Sequence, residues 1–461
     1  MDTAPSVDTA DVDNAPEHNL RIGWMTVGIL LLLTVLSVLD RNLLNLLVDP
    51  IMADLGLSET QMGALMGLAF GLFFFLGALP IGWAMDRYNR PLVIWLGVTV
   101  WSLGTAGCGL AQNFWSFFVS RAMVGSGEAV MGPGAQSLLP EFFPPEKLGF
   151  AFSIFSLSSS VGAGLALAIG GLVSTMIDPR SVHEVLGLLS LSGWQLIFLL
   201  VGVPGLLLAF LIFLVPDPRR RQGKKPEATN YIDYARLARK YIWFIIPHHL
   251  ALLFAAAISV AIVTWSPAFY QRVHGLSVGE AGGMLGLILT SATVIALPLH
   301  ARLVDRFFAC GKLDIHMRYV AICVLVATPL AIGTFLVASA TLSLVLLFLS
   351  KLLLCVYLAL PLVILQIVMP ANLRGKAASV VLLLNGLLTL GGAPVLVAVI
   401  TEALGGPQMV GYSLLICSAI ALPLCALSAI LSLKPVREIL EAKKNEGELA
   451  DVSAASALGG H

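Results

Sequence analysis

Four charged residues lie in stretches of sequence that are otherwise apolar. Asp40 and Arg41 are neighbours in "LSVLDRNLLNLLV", and Arg121 and Glu128 are seven residues apart in "SRAMVGSGEAVMGPGAQ". An ionised side chain at the centre of a bilayer costs at least about 2.5–3.5 kcal/mol on insertion scales, which makes each one a candidate functional residue. A carboxyl group can carry a proton, whereas arginine stays charged and suits a phosphate or carboxylate. The four residues therefore predict a site that handles protons and an anionic group.

The depth of these residues in their spans predicts how they pair. Arg121 and Glu128 share one helix face, about 10 Å apart. Asp40 and Arg121 lie at similar depth below the outer ends of their spans, whereas Glu128 lies deeper toward the cytoplasm. We expect Asp40 to pair with Arg121 across a cavity, and Glu128 to be a more buried acid with no obvious neighbouring base. Asp40 and Glu128 are the predicted proton-coupling residues, and Arg41 and Arg121 are predicted to bind substrate.

A static ion-pair cluster between the first and fourth spans is the structural alternative. We favour function because a purely structural bridge gains little over apolar packing. Lys351, about ten residues into the tenth span, either lines the cavity or snorkels outward. Asn385 in the eleventh span and the serines at 156–160 are further polar candidates, although small-residue packing explains the serines equally well. Lys351 and Asn385 join the predicted substrate-binding set.

These polar residues are exceptions in a very apolar chain. Of 461 residues, 58% are hydrophobic and 12% are charged, with a mean hydropathy of +0.90. Soluble proteins carry about a quarter of their residues as charges. The 27 basic and 27 acidic residues balance, so no net charge attracts nucleic acid, and the six cysteines lack metal-ligand spacing. We therefore expect a membrane protein without a cofactor, a metal or a nucleic-acid partner.

Twelve apolar runs are long enough to cross a bilayer, which requires roughly 20 residues of helix. A basic polar stretch from Pro216 divides them six and six. We predict an all-α membrane protein with 12 transmembrane helices in two six-helix bundles. The predicted parts are a disordered cytoplasmic tail (1–19), an N-terminal bundle (20–216), a basic cytoplasmic linker (217–240), a C-terminal bundle (241–434) and a cytoplasmic tail (435–461). The predicted spans are 22–48, 61–84, 91–111, 114–140, 148–176, 194–215, 242–270, 280–304, 317–337, 341–369, 376–402 and 409–433.

The distribution of basic residues predicts the orientation. Three of the 27 Lys and Arg residues lie within spans, and only Arg180 and Arg272 fall in odd-numbered loops. The other 22 lie in the even-numbered loops, the linker and the tails. By the positive-inside rule both termini are cytoplasmic. We expect a monomer in a cell membrane, specifically a bacterial inner membrane, in contact with membrane lipids.

The two halves of the chain repeat one another. "PPEKLGFAFS" at 144–153 matches in kind "PANLRGKAAS" at 370–379, and each opens a glycine-rich helix at the equivalent place in its half. Two parallel halves around a central pathway are a known transporter architecture, with the substrate site between them at the midplane.

The loop after the second span carries "GWAMDRYNR", in the pattern G-x-x-x-D-R-x-x-R from Gly82 to Arg90. It resembles the loop motif of the major facilitator superfamily between helices two and three, which implies the major facilitator fold. Gly82 would let helices approach closely. Asp86 would cap a helix N-terminus, where backbone N–H groups favour an anion, and the start of the eleventh span at 376–379 is the expected partner.

The arginines of this motif complete a predicted cytoplasmic latch. Arg87 and Arg90 are expected to pair with Glu141 or Glu146 below the fourth span. The alternative is a turn flanked by cytoplasmic arginines that topology alone would supply. The second half has only "HARLVDR", without the glycine, so a latch there would be weaker.

"LDRNLLN" in the first span, together with "RAMVGSGEA" in the fourth, resembles the Spinster-type lipid transporters of this superfamily. The matching residues are Asp40, Arg41, Arg121 and Glu128. The resemblance implies proton-linked movement of lysolipids or sphingosine-phosphate-like amphiphiles. A cavity with charges on one side and Leu, Phe and Val on the other would suit a lipid better than a sugar.

Other functions remain open. An organic-anion/proton symporter of the same superfamily is the first alternative, and an inward-facing Lys351 would favour it. A multidrug/proton antiporter is the next alternative, but two intramembrane arginines disfavour cationic drugs. A polytopic enzyme would need a catalytic constellation, and neither H-E-x-x-H nor a serine elbow occurs. A lipid sensor that does not transport also fits the sequence.

The expected mechanism is alternating access by rocking of the two bundles. Protonation of Asp40, with or without Glu128, would release Arg121 and Arg41 to bind an anionic head group, or the reverse. Competition between proton and substrate for the cavity would give antiport.

Overall fold

Twelve membrane-spanning segments form two six-helix bundles in the computed structural model, which describes residues 19–185, 189–217, 231–370 and 373–446. Residues 218–230 of the predicted linker, 1–18 of the first predicted tail and 447–461 of the second lie outside the described residues. Among those described, ten segments are single apolar helices or helix pairs long enough to cross a bilayer. The fourth and fifth spans complete the twelve.

The N-terminal bundle begins at Leu20, and its helix ends agree with the predicted spans to within three residues. Its second and fourth spans are each built from two helices. Its elements are α1 (Leu20–Leu46), α2 (Val48–Leu55), α3 (Glu59–Met66), α4 (Leu68–Arg87), α5 (Arg90–Gly109), α6 (Phe114–Glu128), α7 (Met131–Phe142), α8 (Pro145–Met176) and α9 (Gly193–Leu208), which continues as a 3₁₀ helix over Ala209–Leu214.

The C-terminal bundle follows the amphipathic helix α10 (Tyr231–Lys240) and ends with the amphipathic helix α19 (Leu433–Asn445). Between them lie α11 (Ile242–Arg272), α12 (Val278–Ala309), α13 (Ile315–Leu336), α14 (Ala340–Leu354), α15 (Leu360–Val368), α16 (Arg374–Gly386), α17 (Ala393–Ala403) and α18 (Val410–Leu431).

Three spans change their helical geometry near mid-height. The fourth span breaks between α6 and α7, directly after Glu128. The tenth span, its counterpart in the second half, passes through a 3₁₀ turn at Cys355–Leu358 just after Lys351. The eleventh span carries a π-helical segment at Leu387–Gly392 between α16 and α17. Such interruptions occur where helices line a transport site, and the structure places two intramembrane charges beside them.

The bundles meet closely at one end of the molecule. An added Cβ on Gly286 of α12 would lie 2.5 Å from the carbonyl oxygen of Gly164 in α8. An added Cβ on Gly67, between α3 and α4, would lie 2.5 Å from the carbonyl oxygen of Gly391. Only glycine permits such backbone contact. We call this end, which includes the α2–α3 and α11–α12 turns, the sealed end.

The bundles diverge at the other end, which we call the open end. The face of α4 that packs on the eleventh span through Gly71 and Phe75 continues through Leu79 and Asp86. Leu79 is 70% exposed and Asp86 is also exposed, so no helix among the described residues covers this continuation. The central space between the bundles therefore opens at the end that carries the Asp86–Arg90 turn.

A short antiparallel hairpin on the sealed end was not predicted. Val182–Val185 pairs with Leu189–Ser192, with Val182 opposite Ser192. Asp54 of α2 accepts hydrogen bonds from Ser192 Oγ and Trp194 Nε1, both at 2.7 Å. The hairpin thus fixes the start of the sixth span against the first.

Candidate functional site

A central cavity of about 490 Å³ lies between the two bundles. Its charged lining residues are Arg41 from α1, Glu128 from α6 and Lys351 from α14. The polar lining is completed by Thr34, Ser37, Asn42 and Asn45 of α1 and by Ser259, Thr264, Thr293 and Tyr357 of the C-terminal bundle. Phenylalanine, leucine, valine and methionine side chains cover much of the rest, so the cavity has both a charged and an apolar part.

Arg41 and Glu128 form an ion pair inside this cavity. Arg41 Nη2 donates to Glu128 Oε2 at 2.5 Å, and the Glu128 side chain is fully buried while that of Arg41 is 30% exposed. The prediction that Glu128 has no neighbouring base was therefore wrong. The helix break after Glu128 leaves its carboxylate facing α1, where Arg41 reaches it.

Phe70 of α4 lies against both Arg41 and Arg121. The guanidinium carbon of Arg41 lies 4.4 Å from the Phe70 ring centroid, and that of Arg121 lies 5.4 Å from it. The negative face of an aromatic ring attracts a cation by roughly 0.5–2 kcal/mol, more where water is excluded. Phe70 therefore stabilises both guanidinium groups from the side of α4.

Asp40 is buried behind the cavity lining and is not paired with Arg121. Its Oδ2 accepts a hydrogen bond from Thr105 Oγ1 at 2.7 Å, and its Oδ1 has no partner. Arg121 is also buried; its Nε lies 3.5 Å from the carbonyl oxygen of Leu65, and its Nη2 has no partner. Among the described residues no ion pair joins Asp40 to Arg121, so that predicted pairing was wrong. Asp40 Oδ1 and Arg121 Nη2 are thus buried polar atoms without a hydrogen-bond partner, an arrangement that calls for an explanation.

Lys351 lines the cavity and does not snorkel outward. Its side chain belongs to α14 and is largely buried. The sequence suggested that the charges lie on one side of the cavity. The structure shows charges on both sides, because Lys351 belongs to the C-terminal bundle. Asn385 is outside the lining, and its Nδ2 donates to the carbonyl oxygen of Val381 on its own helix. The side chains at 156–160 lie outside the described part of the chain.

A sequence model of the Major Facilitator Superfamily matches residues 30–393, which is most of the chain. The chain belongs to this superfamily. It is thus a multi-pass membrane protein from a family of transporters, not enzymes, and the fold fits a membrane-embedded monomer with a small-molecule substrate.

Two relatives agree with the resemblance to Spinster-type transporters, and a third is an efflux pump. The Drosophila melanogaster protein spinster is 24% identical over 401 residues, covering 83% of this chain and 63% of that protein. Zebrafish (Danio rerio) protein spinster homolog 3 is 28% identical, over 55% of this chain and about half of that protein (49%). An MFS-type efflux pump of Mycolicibacterium smegmatis is 27% identical over 88% of this chain and 91% of that protein.

A solved structure of this superfamily shares the fold. It is a bacterial homologue of the human lysosomal transporter Spinster in an inward-facing, unoccupied conformation. It aligns with a TM-score of 0.72 and 23% identity, covering 92% of this chain and 97% of that one. The predicted major facilitator fold and the resemblance to Spinster proteins are both confirmed.

Only some of the predicted contacts of the superfamily loop motif are formed. Arg90 Nη1 pairs with Glu141 Oε1 at 2.9 Å, as expected, and the backbone N–H of Arg90 donates to Asp217. Arg87 instead stacks 4.4 Å from the Trp83 ring centroid.

The other half of the predicted latch does not form in this conformation. Asp86 is exposed, and α16 begins after Leu373 without a side-chain cap. An added Cβ on Gly82 would meet nothing within 4 Å, so no helix in the described part of the chain approaches it closely. The expected contact between Asp86 and the eleventh span requires the two bundles to meet at the open end. The Glu146 side chain lies outside the described residues.

Sequence reasoning missed Phe70 and Thr105. Phe70 is one of four phenylalanines in "AFGLFFF", and nothing in that run distinguishes it from Phe73, Phe74 or Phe75. Thr105 lies in the third span, which carries no charge between Arg90 and Gly109. A search for hydroxyls at the depth of Asp40 would have been needed to find it.

Proposed function

We propose that this protein is a proton-coupled transporter of a lysolipid or sphingosine-phosphate-like amphiphile, and that it works by alternating access of the two bundles. The observation that supports this proposal is the Arg41–Glu128 ion pair, which faces Lys351 in a cavity that is otherwise largely apolar.

The charges of the cavity suit an anionic head group. Arg41 and Lys351 supply two cations against the one carboxylate of Glu128. A guanidinium binds a phosphate or carboxylate through two parallel hydrogen bonds, and a lysine adds a point charge. A substrate phosphate would therefore bind between Arg41 and Lys351, which belong to different bundles, and would hold the bundles together during transport.

The apolar part of the cavity suits a hydrocarbon chain. Phe70, Phe74 and Phe155 line it from the N-terminal bundle. Leu358 and Leu390 line it from the other bundle. Burying each CH₂ group is worth about 0.8 kcal/mol, so a chain of several carbons adds substantially to the affinity.

The Arg41–Glu128 pair supplies a coupling mechanism. When Glu128 binds a proton it no longer neutralises Arg41, and Arg41 becomes available to the substrate anion. Proton and anion then favour each other's binding, which is the arrangement for symport. The competition expected from the sequence would have given antiport instead. Asp40, with its unpartnered Oδ1, is a second proton-binding candidate.

The proposed orientation has the open end at the cytoplasm. Arg87, Arg90, Lys312 and Arg318 lie in or beside the turns of the open end, whereas Arg180 and Arg272 lie at the sealed end. The positive-inside rule then assigns both termini to the cytoplasm. With a bacterial relative aligned over most of its length, a bacterial inner membrane is the proposed location.

Transport of a small organic anion with protons is the second candidate function. The inward-facing position of Lys351 favours it, because two cations on opposite walls suit a compact anion. The hexuronate transporter of Bacillus subtilis is also 25% identical over 54% of this chain and 57% of that protein.

The test uses purified protein in liposomes with an imposed pH gradient. Uptake of a labelled lysophosphatidylglycerol is measured for the wild type, for Glu128→Gln and for Asp40→Asn. Glu184→Gln, which removes an exposed acid on the hairpin, is the matched control. We expect Glu128→Gln to bind the lipid, but the pH gradient should stimulate its lipid uptake at least tenfold less than that of the wild type. The control should respond like the wild type.

Each other outcome has a distinct meaning. A wild-type response in Glu128→Gln would show that the ion pair is structural and that the coupling proposal is wrong. Uptake of a labelled hexuronate without uptake of the lysolipid would replace the lipid proposal with the organic-anion one. Lipid binding with no gradient-driven transport would identify a sensor.

A further inference from the structure

A second cavity lies on the outside of the C-terminal bundle, away from the central pathway. It has a volume of about 590 Å³ and is formed by the α12–α13 turn, the start of α13 and the amphipathic helix α19. Its charged lining residues are Lys312, Asp314, Arg318, Arg437 and Glu441. Three cations against two carboxylates leave the cavity with a net positive charge.

The two arginines share one acceptor and keep donors free. Both Arg318 Nη2, at 2.7 Å, and Arg437 Nη2 bond to the same oxygen, Asp314 Oδ2. The Asp314 side chain is 6% exposed, whereas those of Arg318 and Arg437 are 46% and 48% exposed. A guanidinium has five N–H donors in a fixed fork. Asp314 therefore positions two guanidinium groups whose other donors are available at the mouth of the cavity.

Lys312 adds a third cation beside them. Its ammonium nitrogen lies 4.8 Å from the Phe307 ring centroid, and its side chain is exposed. Phe307 also lines the cavity. The ring holds the ammonium group near the two guanidinium groups without neutralising it.

An exposed apolar face continues from the cavity along α13. Ile322, Leu325 and Val326 follow Arg318 at intervals of four, seven and eight residues, so they lie on the same helix face. Each of the three is about half exposed, and Ile322 itself lines the cavity. Because α13 spans the membrane, this face meets acyl chains, and the three cations lie at its end.

We propose that this cavity binds the head-group phosphate of an anionic phospholipid whose acyl chains lie along Ile322, Leu325 and Val326. Basic pockets beside transmembrane helices bind such head groups, and arginine matches phosphate geometry in particular. A free phosphate ion would use the same cations but not the apolar face. The site does not depend on which substrate the central cavity transports.

The bound lipid would fasten α19 to the bundle. The buried side chains of Val436 and Leu440 already pack α19 against the C-terminal bundle, and Arg437 of the same helix pairs with Asp314. A phosphate that contacts both Arg318 and Arg437 would link α13 with α19 by a second set of contacts.

The test measures lipid binding to the delipidated full-length protein in detergent. Dissociation constants for dioleoylphosphatidylglycerol and dioleoylphosphatidylcholine are compared by native mass spectrometry, with inorganic phosphate in a third arm. Each nearby Lys or Arg is worth about 1 kcal/mol toward an anionic lipid, so the wild type should prefer phosphatidylglycerol by about tenfold or more.

The variants separate the pocket from general surface charge. Lys312→Gln combined with Arg318→Gln should reduce the preference to about twofold or less, and Lys312→Gln alone should give an intermediate value. Lys434→Gln removes an exposed cation from α19 outside the cavity and should keep the full preference. Unfolding temperatures without lipid check that each variant is folded.

The remaining outcomes overturn the proposal. These are equal affinities of the wild type for the two lipids, a preference that persists in the double variant, and an equal loss in Lys434→Gln. Inorganic phosphate that binds as tightly as the lipid would identify a free-anion site instead of a lipid site.

Discussion

Replacing Arg272 with glutamine removes a cation that joins the two bundles at the sealed end. Arg272, at the end of α11, lies 2.7 Å from Asp49 Oδ1 and 2.9 Å from Glu59 Oε1, which belong to α2 and α3. The side chains of Arg272 and Glu59 are each 3% exposed, while that of Asp49 is 25% exposed. The substitution therefore leaves the Glu59 carboxylate buried and without its cation.

The size of the effect follows from this burial. Removing one partner of a buried ion pair typically costs about 3–5 kcal/mol. The cost has an upper limit, because Glu59 can instead bind a proton, which costs a free glutamate about 3.5 kcal/mol at pH 7. When the sealed end opens, water reaches Glu59 and most of this cost disappears. We expect the equilibrium to shift toward opening of the sealed end by about 3 kcal/mol, or roughly two orders of magnitude.

Distances between spin labels across the sealed end measure this shift. Ala53 of α2 and Gln408, just before α18, are exposed positions on opposite bundles, and both can be labelled as cysteines in a background without Cys310. The wild type should give mainly the short distance, and Arg272→Gln should populate a longer one. Arg180→Gln removes the other basic residue of the same end, which is exposed, and should resemble the wild type.

Lowering the pH provides an internal check. Because protonation relieves the unpaired carboxylate, the shift caused by Arg272→Gln should shrink by about 1.4 kcal/mol for each pH unit below neutral. An unchanged distance distribution in a folded, monodisperse Arg272→Gln sample would refute the reasoning, and so would an equal shift in Arg180→Gln.

Two further predictions concern packing and charge. Gly67→Ala places a methyl group 2.5 Å from the Gly391 carbonyl oxygen, so it should cost about 1–3 kcal/mol of stability or open the sealed end. An added Cβ on Gly391 meets nothing within 4 Å, so the control Gly391→Ala should leave thermal unfolding nearly unchanged. Burial raises the pKa of Asp314, but hydrogen bonds from Arg318 and Arg437 outweigh it and lower the pKa overall. The stabilisation by Asp314 should therefore be complete above its ordinary pKa of about 3.9 and be lost as the pH falls through the lower folded value. Asp314→Asn should lower the unfolding temperature near pH 7, and its difference from the wild type should shrink as the pH falls below the ordinary pKa of an aspartate.

Hydropathy was sufficient to locate the twelve spans, because length and apolarity are imposed by the bilayer itself. The π-helical segment and the 3₁₀ turn were not predicted, since they depend on how neighbouring backbones pack. The hairpin was missed for a related reason. Its outer strand, Val182–Val185, is held by pairing with Leu189–Ser192, where Ser192 donates to Asp54, rather than by a buried apolar face.

Depth along a helix was a poor guide to pairing. Adjacent residues of a helix differ in direction by about 100°, so Asp40 and Arg41 have nearly the same depth but face different neighbours. Arg41 points to the cavity and meets Glu128, whereas Asp40 points to Thr105 in the third span. The sequence singled out four charged residues that the structure places in or beside the central cavity, but the direction of each side chain required the packed structure.

The latch illustrates a different limit, because it depends on conformation. The Arg90–Glu141 contact lies within one bundle and forms here, while Asp86 needs the other bundle, which is distant at the open end. A sequence motif specifies contacts in every state of a transporter, and a single state displays only some of them.

The π-helical segment of the eleventh span contains one residue more than an α-helical turn would need. A π turn holds one more residue than an α turn, and the helix can straighten only by passing that residue along to the next turn. Passing it along rotates the residues that it passes by about 100° and moves them by about 1.5 Å. Leu387–Gly392 lies where the eleventh span touches Gly67 and Gly71. The part of this span toward the open end can therefore turn a different row of side chains to the pathway while the sealed-end contacts keep their register.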